Sequence, residues 1–231
     1  MSNIILVGGE KGGVGKSLVA RLLAQYMIDH QMPFVALDTD SSHGSLTRFY
    51  RDYASPVVVD EFSSLDRIVE AAVEVPERRV LVDLAAQTHK PLMRWMKESG
   101  AANMGEDNGF SIAYWHVMDT GRESLDLLGR LLDELPPNVA LVVVQNQLRG
   151  ESFALFDASD IRRRALERGA PVIAVRRLHD TIVAKVDATD SSFWAATASP
   201  EEAPGPFGLM ERQRARVWLR QCYDEITRAG L

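Results

Sequence analysis

One segment near the start of the chain limits the folds open to it. A short apolar run, residues 4–7, leads into Glu10-Lys11-Gly12-Gly13-Val14-Gly15-Lys16-Ser17. Directly behind it, Leu18, Val19, Leu22, Leu23, Tyr26 and Met27 recur at helical spacing. Strand, glycine-rich turn and helix, in that order, are the setting of a phosphate loop. The glycines allow successive backbone N–H groups to point at one anion, and the helix N-terminus adds its positive dipole end. Lys16 reaches the terminal phosphates and the Ser17 hydroxyl ligates Mg²⁺. The expected cradle is Gly12, Gly13, Val14, Gly15, Lys16, Ser17 and Leu18, with ATP and Mg²⁺ as the ligands. A chance glycine-rich turn would not explain Gly-Lys-Ser between a strand and a helix.

The rest of the chain repeats the alternation. Strands are expected at residues 4–7, 34–37, 57–59, 80–82, 112–117, 140–144 and 171–175. Several are unbroken Val/Ile/Leu runs, the pattern of strands buried on both faces. Helical patterns between them, such as Leu125, Leu127, Leu128, Leu131 and Leu132, predict a doubly wound, mostly parallel α/β sheet. Residues 98–108 read as a loop or insertion. Residues 197–208, with their prolines and glycines, separate the core from a last helix at 210–228. No linker demands a second unit, so the expectation is one P-loop domain over 1–231 with a C-terminal helix, 210–229, packed on it.

Composition narrows the function classes. The 231 residues carry a net charge of -6, which disfavours a uniformly basic nucleic-acid binder. The single cysteine, Cys222, excludes an intrachain disulfide framework and a multi-cysteine metal site. The longest apolar run, residues 139–144, is far short of a membrane span. A cytoplasmic protein is expected.

Acidic residues fall at strand ends, where open α/β sheets bind ligands. The second strand ends in Asp38-Thr39-Asp40, and the fourth in Asp83 after Val80-Leu81-Val82. These carboxylates can hold Mg²⁺ or orient an attacking water; for Asp40 a helix N-cap is the alternative. Asn146, at the end of the sixth strand, can read an adenine edge or serve a turn.

Lys-Gly-Gly-Val-Gly-Lys-Ser, with Glu10 where the general pattern has glycine, resembles the deviant Walker A box of the ParA/MinD family. That resemblance implies a slow ATPase whose ATP-bound form is a homodimer. It gives Lys11 a role in trans, on the nucleotide of the partner subunit. It places Lys16 on the phosphates, Asp40 on the attacking water, and Asp38, Ser17 and Asp83 on the metal. The family often continues with Pro-Gln-Gly after the first motif and Asp-x-Pro after the second. This chain has Ser41-Ser42-His43-Gly44 and Asp83-Leu84-Ala85. Within the family, Gln25-Tyr26, Asp38-Thr39-Asp40, Pro91-Leu92 and Arg212-Gln213-Arg214 are similar to the TraL-type branch. That branch implies a switch in plasmid partition, maintenance or conjugative transfer. Rival readings are an ATP-using, carboxylate-activating metabolic enzyme and an adaptor that binds nucleotide without hydrolysis. Arg162, Arg163, Arg164 and Arg168 could touch DNA, although a solvated helix face fits the acidic whole better. A partner protein is the other possible contact. Asp224 and Glu225 argue against a membrane-seeking last helix.

Overall fold

A computed structural model describes residues 2–40 and 44–231. Seven strands form one sheet: β1 (Ser2–Gly8), β2 (Phe34–Asp38), β3 (Ala54–Pro56), β4 (Arg79–Asp83), β5 (Phe110–Met118), β6 (Ala140–Asn146) and β7 (Val172–Val175). Their order is β3-β2-β4-β1-β5-β6-β7, and every pairing is parallel. The order reverses around β1, so the crevice beyond its carboxyl end is the place such a sheet offers a ligand. Parallel pairing needs crossovers, which the helices supply. They are α1 (Lys16–Asp29), α2 (Ser45–Phe49), α3 (Phe62–Glu74), α4 (His89–Ser99), α5 (Ala101–Asn108), α6 (Arg122–Glu134), α7 (Ala154–Asp157), α8 (Asp160–Glu167), α9 (Asp180–Ala188), α10 (Phe193–Thr197) and α11 (Leu209–Arg228).

Alternate residues of the central strands feed two apolar layers. Ile5 and Val7 pack with α1, α9, α10 and α11 on one face. Ile4 and Leu6 pack with α3, α4, α5 and α6 on the other. In α11, Trp218, Leu219, Cys222 and Ile226 are buried in the first layer, and Trp218 Nε1 donates to the Arg176 carbonyl at 2.7 Å. Glu225 accepts from the Ala174 N–H of β7 at 2.9 Å. The acidic residue that argued against a membrane face thus ties the helix to the sheet. No helix among the described residues is long and apolar enough to cross a membrane.

Two expectations fail for physical reasons. Residues 98–108 are not an irregular loop: α5 begins after Gly100, whose φ of 67° ends α4 and turns the chain. Gly105 lies inside α5 because a Cβ there would come 2.5 Å from the Phe110 carbonyl. What reads as a breaker is a close helix–strand approach. Residues 57–59 are not a strand either. Pairing stops at Pro56, and Val57 and Val59 are apolar because they plug the second layer.

Candidate functional site

The β1–α1 loop, residues 9–15, is built tightly. Lys16 Nζ, nearly buried at 8% exposure, donates back to the Lys11 carbonyl at 3.2 Å. Gly13 and Gly15 have φ of 72° and 91°, the left-handed region that suits glycine. A Cβ at Gly15 would lie 2.1 Å from Asn146 Nδ2, and one at Gly13 would lie 2.6 Å from an Arg149 guanidinium nitrogen. Gly12 has open space on its Cβ side. Val14 is buried in the first layer and Leu18 packs against it, so both shape the cradle from below. Ser17 is half-buried in the first turn of α1.

Register brings the acidic strand ends to this loop. Asp83 is paired in the sheet with Val7 on one side and Asp38 on the other. Burial pushes the Asp83 carboxyl up to about 7; Asp38 and Asp40 add to this, while the nearby Ser17 hydroxyl and the Lys16 charge oppose it. Neither carboxylate oxygen of Asp83 has a partner at hydrogen-bond distance among the described residues. A buried carboxylate whose neighbouring donor, the Ser17 hydroxyl, stays beyond hydrogen-bond distance is costly. Beside a phosphate loop and a serine hydroxyl, it is the group a divalent cation would satisfy. Burial also lowers the Lys16 pKa, against the pull of Asp83 and Asp40. Among the described residues no three of His, Cys, Asp and Glu converge on a protein-only metal site. A Mg²⁺ here would need phosphate oxygens and water to complete its shell, as is usual for that ion.

Asp38 is engaged differently. Its Oδ1 accepts from the Asp40 N–H at 3.1 Å, and its Oδ2 accepts from the N–H groups of Leu46 and Thr47 at 2.8 and 3.3 Å. It therefore holds the first turn of α2. Burial raises its pKa, and these N–H bonds counter the rise. Asp40 follows, close enough to Lys16 and Asp83 to act on the charge of both; Ser41, Ser42 and His43 lie outside the described residues. Thr39 locks the two acidic strand ends together. Its hydroxyl donates to the Asp83 carbonyl at 3.0 Å and accepts from Ala85 N–H at 2.7 Å.

Three placements bear on the sequence reading. The Asn146 Nδ2 donates to the Val14 carbonyl at 2.8 Å, and its Oδ1 accepts from Leu148 N–H at 3.2 Å. Of the two roles the sequence offered Asn146, this is the turn: the amide joins the phosphate loop to the turn after β6. Lys11 folds back in cis: its Nζ is 2.7 Å from Asp119 and 3.8 Å from Glu123. Asp119 is buried, and that opposes its charge; Lys11, Ser124 and the Gly121 N–H nonetheless hold it below the usual carboxylate range. Arg162, Arg163 and Arg164 pair with Asp157, Asp160, Glu167 and Asp133, while Arg168 donates to the Leu135, Pro136 and Val139 carbonyls. The basic run is neutralised from within. Sequence reasoning also missed Asp119 and Arg149. Asp119 is separated from Lys11 by 108 positions; Arg149 follows the predicted sixth strand closely enough to have been suspected.

The MinC:MinD cell division protein complex of Aquifex aeolicus superimposes with a TM-score of 0.56, 12% identity and coverage of 97% of this chain and 96% of the other. A ParA family ATPase from Chlorobium tepidum gives 0.53 and 11%, covering 94% and 97%. The fold is that of the ParA/MinD ATPases. The septum site-determining protein MinD of Pyrococcus horikoshii, complexed with Mg-ADP, gives 0.51 and 13%, covering 98% of each chain. In sequence, this ParA/MinD-like chain is 27% identical to protein MobD of Acidithiobacillus ferrooxidans over 184 residues, 78% of this chain and 80% of that one. It is 23% identical to protein TraL of Escherichia coli over the full length of both. No protein-family model matches the chain. Two segments similar to the TraL branch hold the architecture together. Buried Gln25 accepts from the Tyr50 hydroxyl and from Trp194 N–H, both at 3.1 Å, and donates to Asp29 at 2.8 Å. Arg212, 2% exposed, donates to the carbonyls of Phe207, Ala195, Ala198 and Ala203.

Proposed function

We propose that the chain binds ATP with Mg²⁺, hydrolyses it slowly, and uses the bound state to form a homodimer that times a step in plasmid partition, maintenance or conjugative transfer. The observation that carries this reading is the orphaned, buried Asp83 carboxylate beside Lys16, Ser17 and the closed glycine loop. In this assignment the N–H groups of residues 12–18 and Lys16 hold the phosphates. Ser17 and Asp83 hold the metal, with Asp38 as outer support and organiser of α2. A bound Mg²⁺ supplies charge neutralisation across the phosphate oxygens. Asp40 orients the attacking water, and Thr39 keeps Asp40 and Asp83 at a fixed spacing. Fold likeness to ParA and MinD proteins and full-length similarity to TraL support the cellular setting.

The trans role of Lys11 requires it to leave Asp119, an exchange of one carboxylate partner for phosphate oxygens with more negative charge. The test is light scattering on gel-filtered protein. In an Asp40→Ala background, ATP and not ADP should give the mass of a dimer, and adding Lys11→Ala should return it to monomer with nucleotide still bound. A Lys11→Ala protein that dimerises normally with ATP would remove the basis of the switch.

A further inference from the structure

Beneath Glu10, on the side of β5 away from α1, lies a cavity of about 110 Å³ that the nucleotide reading does not use. Its floor is Tyr114 and His116, one wall is α6 with Leu127, Arg130, Leu131 and Glu134, and the other is the start of α4 with His89 and Lys90. His116 is 3% exposed; the Ser124 backbone comes close to its ring, but neither ring nitrogen has a partner at hydrogen-bond distance among the described residues. A buried polar group of this kind is open to water or to a ligand. The remaining groups show what such a ligand carries. His89 and Glu134 satisfy each other at 2.7 Å. Lys90 and Arg130 at the mouth form no ion pair among the described residues. The N-terminal turn of α4 has no side-chain cap, so its dipole adds positive potential.

From the unpartnered His116, the uncapped α4 and the free Lys90 and Arg130, we infer that this cavity binds a compact carboxylate. The volume exceeds the need of several waters and falls short of a cavity that takes benzene at about 150 Å³. That limits the ligand to about five non-hydrogen atoms. A doubly charged phosphate would meet Glu10 and Glu134; a single carboxylate meets the cations with less opposition. Glu10, also without an ion pair among the described residues, would favour a ligand that carries an ammonium group as well. Burial lowers the His116 pKa to about 4, so its ring is neutral at pH 7 and offers one donor and one acceptor. No three metal-binding side chains converge here among the described residues.

The inference does not depend on ATP chemistry, and its test uses none. The full chain, labelled at its five histidines, is titrated without nucleotide, and the imidazole NMR signals are followed. The probes are acetate, propionate and glycine, with inorganic phosphate and Zn²⁺ as contrasts. His116→Phe identifies the reporting signal, and Arg130→Ala, at an exposed position, tests the site without disturbing the floor. A saturable shift of the His116 signal by the carboxylates, weakened about tenfold or more in Arg130→Ala, supports the inference. Tighter binding of glycine than of acetate adds Glu10 to the site. A His116 signal unmoved by every carboxylate, moved only by phosphate or Zn²⁺, or moved equally in Arg130→Ala overturns it.

Discussion

Replacing Asp83 by Asn should make the metal-free, nucleotide-free protein more stable above pH 7 and leave it nearly unchanged below pH 4. The Asp83 carboxyl moves from an ordinary 3.8 to about 7 on folding, with burial as the largest cause. In the unfolded chain this group is ionised above pH 4, whereas in the folded chain it keeps its proton until about pH 7. The folded state therefore binds more protons between those values, and stability falls as pH rises through that window. A shift of about three units corresponds to about 4 kcal/mol once the group is fully ionised. Asparagine has nearly the same shape and no charge to bury. Its amide finds no more partners than the protonated carboxyl does, so that cost of about 1–3 kcal/mol is common to both and cancels. The gain at pH 8 is then about 4 kcal/mol. Urea unfolding of EDTA-treated wild type and Asp83→Asn at pH 5, 6, 7 and 8 measures it. Mg²⁺ with ATP should reverse the order, because only the carboxylate gains from the cation. A difference between the two proteins that does not change with pH would refute the argument from burial.

Three further outcomes are expected. Lys16→Ala should weaken ATP binding at least a hundredfold in a calorimetric titration, since it removes the nearly buried charge of the cradle. Asp40→Ala should keep ATP bound while slowing single-turnover phosphate release by tenfold or more. Arg212→Ala should destabilise the fold by about 3–5 kcal/mol in denaturant unfolding, because it strands buried carbonyls of residues 195–207.

How much of this was legible depended on how local the cause was. The phosphate loop is a contiguous stretch whose glycines, lysine and serine each answer one requirement of anion binding, so the sequence exposes it. Asp38 and Asp83 could be paired in thought because a parallel sheet aligns strand ends, and the register does align them. Arg212 stood out in sequence only as part of a short branch-like segment; nothing nearby says that four carbonyls converge on it. The Lys11–Asp119 pair and the amide of Asn146 turning to Val14 are also long-range contacts, set only when β5 and β6 lie beside β1. The helix at 101–108 was hidden by its glycines, which serve packing there.

The Asp38 carboxylate cannot serve two masters at once. The Oδ2 oxygen that restrains the amides of both Leu46 and Thr47 lies one strand from Asp83, so a cation drawn to that corner competes with α2 for the same lone pairs. Loosening that turn would not stay local. Arg48, two residues further along α2, grips the carbonyl of Asp187 in α9 and the carboxylate of Asp190 just beyond it. A change of charge at the bottom of the crevice thus has a mechanical route to the outer surface, with α2 as the lever.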